Sequence, residues 1–178
     1  IHSRTDFDLG NHEKFSGKKL QYFDPELNQN YVPYVVETSI GLDRMFLAVL
    51  STAYAEEKLE DGSERVVLRI PPFLAPIKCA VLPLVKKDGL PEKAREIMDR
   101  LKFDHLCVYE EKDSIGKRYR RMDAIGTPFC ITVDHDSIEQ NTVTLRDRDS
   151  MQQERVSIDR LPEIVGEKVD MRKALRGL

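Results

Sequence analysis

Residues 78–109, KCAVLPLVKKDGLPEKAREIMDRLKFDHLCVY, decide the fold. KCAVLPLV opens the stretch as a short apolar strand. LPEKAREIMDRL follows with Pro91 in a first-turn position and lines Ala94, Ile97, Met98 and Leu101 along one face at helical spacing. HLCVYEE (105–111) then supplies a second strand. The alternation continues downstream. KDSIGKRYRRMDAIG (112–126) is a helical or turn-rich segment, FCITVDH (129–135) a third strand, and Asp136–Asn141 a turn. TVTLRDRD (142–149) and ERVSIDRL (154–161) form a further strand pair, and PEIVGEKVDMRKAL (162–175) closes the chain as an amphipathic helix starting at Pro162. Strand and helix patterns in this order predict an α/β domain, a mixed or parallel sheet with helices on its faces.

Upstream, Pro71, Pro72 and Pro76 in PPFLAPIK deny the chain both helix and ladder hydrogen bonds. They predict a linker near residues 68–75, with one domain in 1–70 and another in 71–178. Residues 1 to about 34 are polar and loop-like. YVVETSIG (34–41) is a β-branched strand that Gly41 joins to LDRMFLAVLSTAY (42–54), apolar on most sides as a buried helix would be. EEKLEDGSER (56–65), with the turn signal Asp61-Gly62, separates that helix from the short strand RVVLRI (65–70).

Composition limits the options. With 40% hydrophobic residues, 33% charged residues and a formal net charge of -3, the 178-residue chain reads as a soluble globular protein, not a fibre or a disordered tail. The slight acidity argues against a protein that coats nucleic acid without specificity, and leaves a local basic face open. Cys79, Cys107 and Cys130 sit in apolar contexts with no CxxC pair, so they read as buried, reduced thiols of a cytoplasmic protein. The four histidines lack metal-ligand spacing, and no bound metal is expected. No apolar run is long enough for a membrane span, and the first residues lack the apolar core of a signal peptide. The chain opens without Met inside dense sequence, which reads as a piece of a longer protein.

YVPYVVETSIGLDRMFLAVL (31–50) resembles motif 3 of class II aminoacyl-tRNA synthetases, a strand and helix with G-[ILVF]-x-R at their junction, here Gly41, Leu42, Asp43 and Arg44. Read by itself, GLDR is a weak signal, and a helix N-terminus with a surface arginine explains it. The preceding Glu37-Thr38-Ser39 resembles the E-P-S of glycyl-tRNA synthetases, with Thr38 where Pro is common. That resemblance makes Glu37 and Ser39 the holders of the glycine ammonium, and strand alternation puts the two on one face. It makes Arg44 a contact to the ATP triphosphate. IHSRTDFDLGNHEKFSGKKLQYFD (1–24) is similar to the segment that glycyl enzymes carry before motif 3, which makes Arg4 a substrate contact; an ion pair between Arg4 and Asp6 is the plainer alternative.

Residues 75–102 look like the opening of the anticodon-binding domain shared by the glycyl, histidyl, threonyl and prolyl enzymes. GKRYRRMDAIGTPF (116–129), TLRDRDSM (144–151) and Gln153-x-Arg155 follow in the order of glycyl enzymes. The resemblance implies a mixed five-stranded sheet with helices on both faces, preceded by a fragment of the class II catalytic domain. It implies a parent enzyme that activates glycine with ATP and Mg²⁺ and charges tRNA(Gly), as a homodimer. This piece alone would be inactive. Lys117, Arg118, Tyr119, Arg121, Arg146 and Arg148 become candidate contacts to the anticodon stem-loop, where cations and an aromatic ring suit unstacked RNA. Arg120 belongs to the same basic run, and Asp123 or Asp134 could accept from a cytosine amino group. A solvated charged helix and strand explain the same residues without RNA. The rival functions are a non-catalytic synthetase-like nucleic-acid-binding accessory protein, a synthetase of the same subclass for another amino acid, and a plain α/β binding domain.

Overall fold

A computed structural model describes residues 1–59 and 61–177, and the chain divides into two compact units, Ile1–Leu47 and Ala48–Leu178. In the first, β1 (His2–Thr5) leads into α1 (Phe7–Ser16), which ends at Gly17 in the left-handed region. β2 (Tyr22–Asp24) and β3 (Gln29–Tyr31) make a small hairpin whose turn is tied by Asp24 Oδ1, accepting from the amides of Glu26 and Leu27. β4 (Val35–Glu37) pairs antiparallel with β1. The loop-like segment is therefore structured. Three-residue strands are too short to show periodicity, and local side-chain bonds hold them instead.

α2 (Leu42–Ala53) forms where the apolar pattern places a helix, but only Ala53 is buried along it. Leu42, Met45, Phe46 and Leu47 are exposed, so the expectation of a buried helix is corrected. Its composition suits a core, and the described residues do not cover it.

The second unit begins with a hairpin of β5 (Tyr54–Lys58) and β6 (Glu64–Leu68) around the Asp61-Gly62 turn, where Asp61 Oδ1 accepts from the Ser63 amide. After the prolines come β7 (Cys79–Pro83), α3 (Leu90–Leu101), β8 (Cys107–Tyr109), α4 (Ile115–Ala124) and β9 (Phe129–Val133). The short α5 (His135–Glu139) replaces the expected turn at 136–141, because Asp134 and Ser137 close a reciprocal capping box. β10 (Thr142–Asp147), β11 (Gln153–Ser157), a 3-10 turn at Ile158–Arg160, α6 (Leu161–Val169) and α7 (Met171–Arg176) complete the chain.

The sheet runs β11-β10-β9-β7-β8, with β8, β7 and β9 parallel and β10 and β11 antiparallel. This is the mixed five-stranded sheet expected. Alternation sorts its side chains into two layers. Cys79, Val81, Phe129, Ile131 and Val133 pack against Ala94, Ile97 and Leu101 of α3 and Leu161 of α6. Ala80, Leu82 and Cys130 face the other way, toward Met122, Tyr119 and Ile115 of α4. β7 is buried at every position because helices cover both of its faces.

The β5–β6 hairpin is pinned to this domain by two buried arginines. Arg65 Nη2 donates to the Arg148 carbonyl at 2.7 Å, and Arg148 donates to the carbonyls of Ile70 at 2.8 Å and Gly126 at 2.9 Å. The boundary expected between residues 70 and 71 thus falls inside the second unit. Among the described residues no helix is long and apolar enough to cross a membrane.

Candidate nucleic-acid interface

The parallel strands bring three loops to one end of the sheet. Residues 84–89 follow β7, residues 110–114 follow β8, and Asp134 follows β9. The chain leaves β7 through α3 toward β8 on one flank, then crosses through α4 to β9 on the other. A reversal of this kind opens a crevice beyond the carboxyl ends of the strands, where α/β sheets bind ligands. Lys86, Lys87 and Lys112 lie on its loops and Lys117 in the first turn of α4. All four are exposed. Only Lys87 has an ion pair among the described residues, a loose one of 3.8 Å to Asp88. Sequence reasoning passed over Lys86, Lys87 and Lys112; their position after β7 and β8, read with the parallel order, was the available signal.

The basic run on α4 is divided by the fold, with some members turned inward. Arg118 is 2% exposed and donates to the carbonyls of Pro83 at 2.6 Å, Leu84 at 3.2 Å and Glu110 at 3.2 Å, closing the floor of the crevice. Burial pulls its guanidinium below the ordinary arginine value. Tyr119 is half-buried and hydrogen-bonded to the Thr132 hydroxyl at 2.6 Å. Arg121 binds Asp113 at 2.8 Å and the Lys112 carbonyl at 2.6 Å, which shapes the 110–114 loop. Lys117 is on the solvent side, while Arg120 and Arg121 are half-buried.

Arg146 on β10 and Arg148, one residue past its end, are both turned into the interior. Arg146 is 3% exposed, forks onto Asp123 and stacks on the Tyr119 ring with its centre 4.8 Å from the centroid. Arg148 is 1% exposed and saturated by carbonyls and Asp149. The reading of Arg118, Arg146 and Arg148 as RNA contacts is therefore corrected: a guanidinium without accessible surface reaches no phosphate until its buried bonds break. Asp123, 0% exposed, sits among Arg146, Arg65 at 3.5 Å and Arg120 at 3.9 Å, so it offers nothing to a base. Asp134 receives two bonds from Arg155, at 2.5 and 2.8 Å, and caps α5; Arg155 holds its carboxyl below the usual carboxylate range.

In the first unit, β1 and β4 bring Arg4 and Glu37 together, Nε to Oε2 at 3.4 Å. The closer partner of Arg4 is Asp8, one helical turn on, at 2.6 and 2.9 Å; the alternative of a pair with Asp6 is replaced by this one. Asp8 raises the Arg4 guanidinium above its ordinary value. Ser39 lies two residues past the end of β4, so strand alternation no longer governs its direction. Glu37, Ser39 and Arg44 are all exposed. A Cβ added to Gly41 would meet only the Arg44 side chain, at 3.9 Å, so the protein's own atoms do not require glycine there.

Residues 78–168 match the family model for the anticodon binding domain. The chain is 52% identical over 169 residues to a glycine–tRNA ligase of Chlorobaculum tepidum, an alignment spanning 95% of this chain and 36% of that protein. It is 53% identical over 170 residues to the glycine–tRNA ligase of Clostridium tetani, spanning 96% of this chain and 36% of the relative. The chain thus spans little more than a third of the length of the relatives it matches. Among solved structures, the RNA binding domain of a threonyl-tRNA synthetase from Cryptosporidium parvum superposes with a TM-score of 0.52 at 20% identity, covering 56% of this chain and 25% of that one, a likeness of fold.

Proposed function

We propose, because this chain belongs to the anticodon binding domain family, that it is the C-terminal part of a glycine–tRNA ligase whose sheet domain holds the anticodon region of tRNA(Gly). The observation that carries this reading is the alignment at about half identity along nearly the whole chain, across both units, with glycine–tRNA ligases. The catalytic part would end with the β5–β6 hairpin at residue 70, and the anticodon-binding part would begin at 71. The exposed apolar side of α2 would pack against the remainder of the parent, which works as a cytoplasmic homodimer.

The residues then take these roles. Glu37, with Ser39 beyond it, orients the ammonium of glycine, and Arg4, steadied by Asp8, holds Glu37 in place or contacts the substrate itself. Arg44, in the first turn of α2, meets the triphosphate of ATP, whose Mg²⁺ arrives as part of that substrate. In the second unit Lys86, Lys112 and Lys117 supply phosphate contacts around the crevice. Arg118 and Arg121 shape its floor and wall. Tyr119, tied to Thr132, sits beneath it as a support.

Two measurements test the reading. Glu37→Gln in the parent enzyme abolishes glycine-dependent ATP–pyrophosphate exchange; normal exchange removes Glu37 from the site. Lys86→Glu, Lys112→Glu and Lys117→Glu together weaken binding of a tRNA(Gly) transcript and flatten its salt dependence, by about 0.7–0.9 in log–log slope for each phosphate no longer neutralised. An unchanged slope places the RNA elsewhere.

A further inference from the structure

The sheet carries a pair of sulfurs that the reading above does not use. β8 is an edge strand of three residues, held by β7 alone. In that parallel pairing Cys79 stands directly opposite Cys107. Neighbouring strands lie about 4.8 Å apart, which falls within the roughly 4.4–6.8 Å between α-carbons that a disulfide spans. Both thiols point into the same layer of the core, and their sulfurs are 3.1 Å apart. Closing to a covalent bond of about 2.05 Å asks for a movement of about 1 Å, and a short strand bonded on one side can supply it.

The two sulfurs are unequal. Cys79 is fully buried, whereas Cys107 is partly exposed, with its thiol also directed at the His105 carbonyl at 3.2 Å. The hydrogen bond from Cys79 draws the Cys107 thiol below its ordinary value, and the same contact together with burial raises Cys79. Cys130 occupies the opposite layer with Ala80, Leu82 and Met122, and burial pushes its thiol up to about 12. It is on the wrong side of the sheet to join the pair.

We propose that Cys79 and Cys107 form a reversible dithiol–disulfide pair, in which Cys107 meets the oxidant and Cys79 resolves it. With hydrogen peroxide as oxidant, the Cys107 thiolate attacks one oxygen: an S–O bond forms, the O–O bond breaks, and the departing hydroxide takes a proton to leave as water. Cys79 then attacks the Cys107 sulfenic sulfur: the S–S bond forms, the S–O bond breaks, and the leaving hydroxide takes the Cys79 proton as a second water. Two thiols lose two electrons, and one peroxide becomes two waters. The product ties the edge strand covalently to its neighbour β7, beside the 110–114 loop.

The test uses the 178-residue chain, native, at neutral pH, treated with peroxide, quenched, unfolded and alkylated. Of the three thiols one remains, the mass falls by two hydrogens, a single cross-linked peptide pair contains Cys79 and Cys107, and dithiothreitol restores all three. Cys130→Ser leaves the cross-link in place, and Cys79→Ser leaves Cys107 as a sulfenic acid that dimedone traps. Should Cys79→Ser fail to fold, the native chain and Cys130→Ser decide the matter alone. Three thiols surviving the treatment, Cys107 passing to sulfinic acid with Cys79 still free, or a bond that includes Cys130 each overturn the proposal.

Discussion

Arg146 grips Asp123 with both terminal nitrogens, at 2.8 and 3.0 Å, with the arginine side chain 4% exposed and the aspartate 0%. The pair joins β10 to α4 through the interior of the domain. Removing one member of a buried pair leaves an uncompensated charge, which costs about 3–5 kcal/mol. Arg146→Ala therefore lowers the unfolding free energy by about 3 kcal/mol or more, read from urea denaturation of the chain. A decrease below about 1 kcal/mol would mean that Arg65 and Arg120 neutralise Asp123 without help.

Lys117 and Arg118 are neighbours with opposite duties. Arg118→Ala leaves the carbonyls of Pro83, Leu84 and Glu110 without their donor, a destabilisation of about 2–4 kcal/mol. Lys117→Ala, on the exposed side of the helix, changes stability by no more than about 0.5 kcal/mol while weakening RNA binding. Thermal melts paired with filter binding separate the two, and equal effects on both readouts would contradict this division.

Much of the fold was legible in the sequence, and the misses share one cause. β7, α3 and β9 announce themselves because a strand covered on both faces is apolar throughout and the helix carries a full stripe. The spacing of Arg146 and Arg148 predicts a shared face on one strand, but Arg148 lies past the end of β10. That spacing could not tell which way Arg146 turns, because the deciding partner, Asp123, is 23 residues away in sequence. An arginine paired in a core and one open to solvent have the same letter. The candidate glycine site was legible only through resemblance, since Glu37 and Arg4 meet across strands of three and four residues.

Acid should loosen the end of the sheet through Asp134. Arg155 lowers its carboxyl in the folded chain, so the unfolded chain takes up the proton first as pH falls. The stabilisation is complete above the ordinary aspartate value, about 3.9, and is lost as pH drops through the lowered folded value. Asp134→Asn is consequently less stable than the native chain at pH 7, and the gap narrows in acid. Denaturant titrations at stepped pH check this, and a gap independent of pH would show that the pair contributes no linkage.

Gly126 adopts φ +81, and a Cβ there would stand 3.1 Å from the Leu68 carbonyl oxygen and 3.2 Å from Ile70 Cδ1. Backbone strain and the rigid carbonyl act together, so Gly126→Ala costs about 1–3 kcal/mol. Gly116, with open space around its Cβ position and a place within α4, gives the control: Gly116→Ala is neutral or stabilising by up to about 1 kcal/mol. Calorimetry of both variants reads the difference directly.

The hairpin that donates Arg65 bears on how this protein can be dissected and recombined. A graft beginning at the prolines would inherit Asp123 with one guanidinium fewer and Arg148 without the Ile70 oxygen it holds. It would also expose the flank of Gly126 where Leu68 now lies. A graft that keeps these contacts therefore carries the hairpin along with the anticodon-binding part and is longer at its front than residues 78–168.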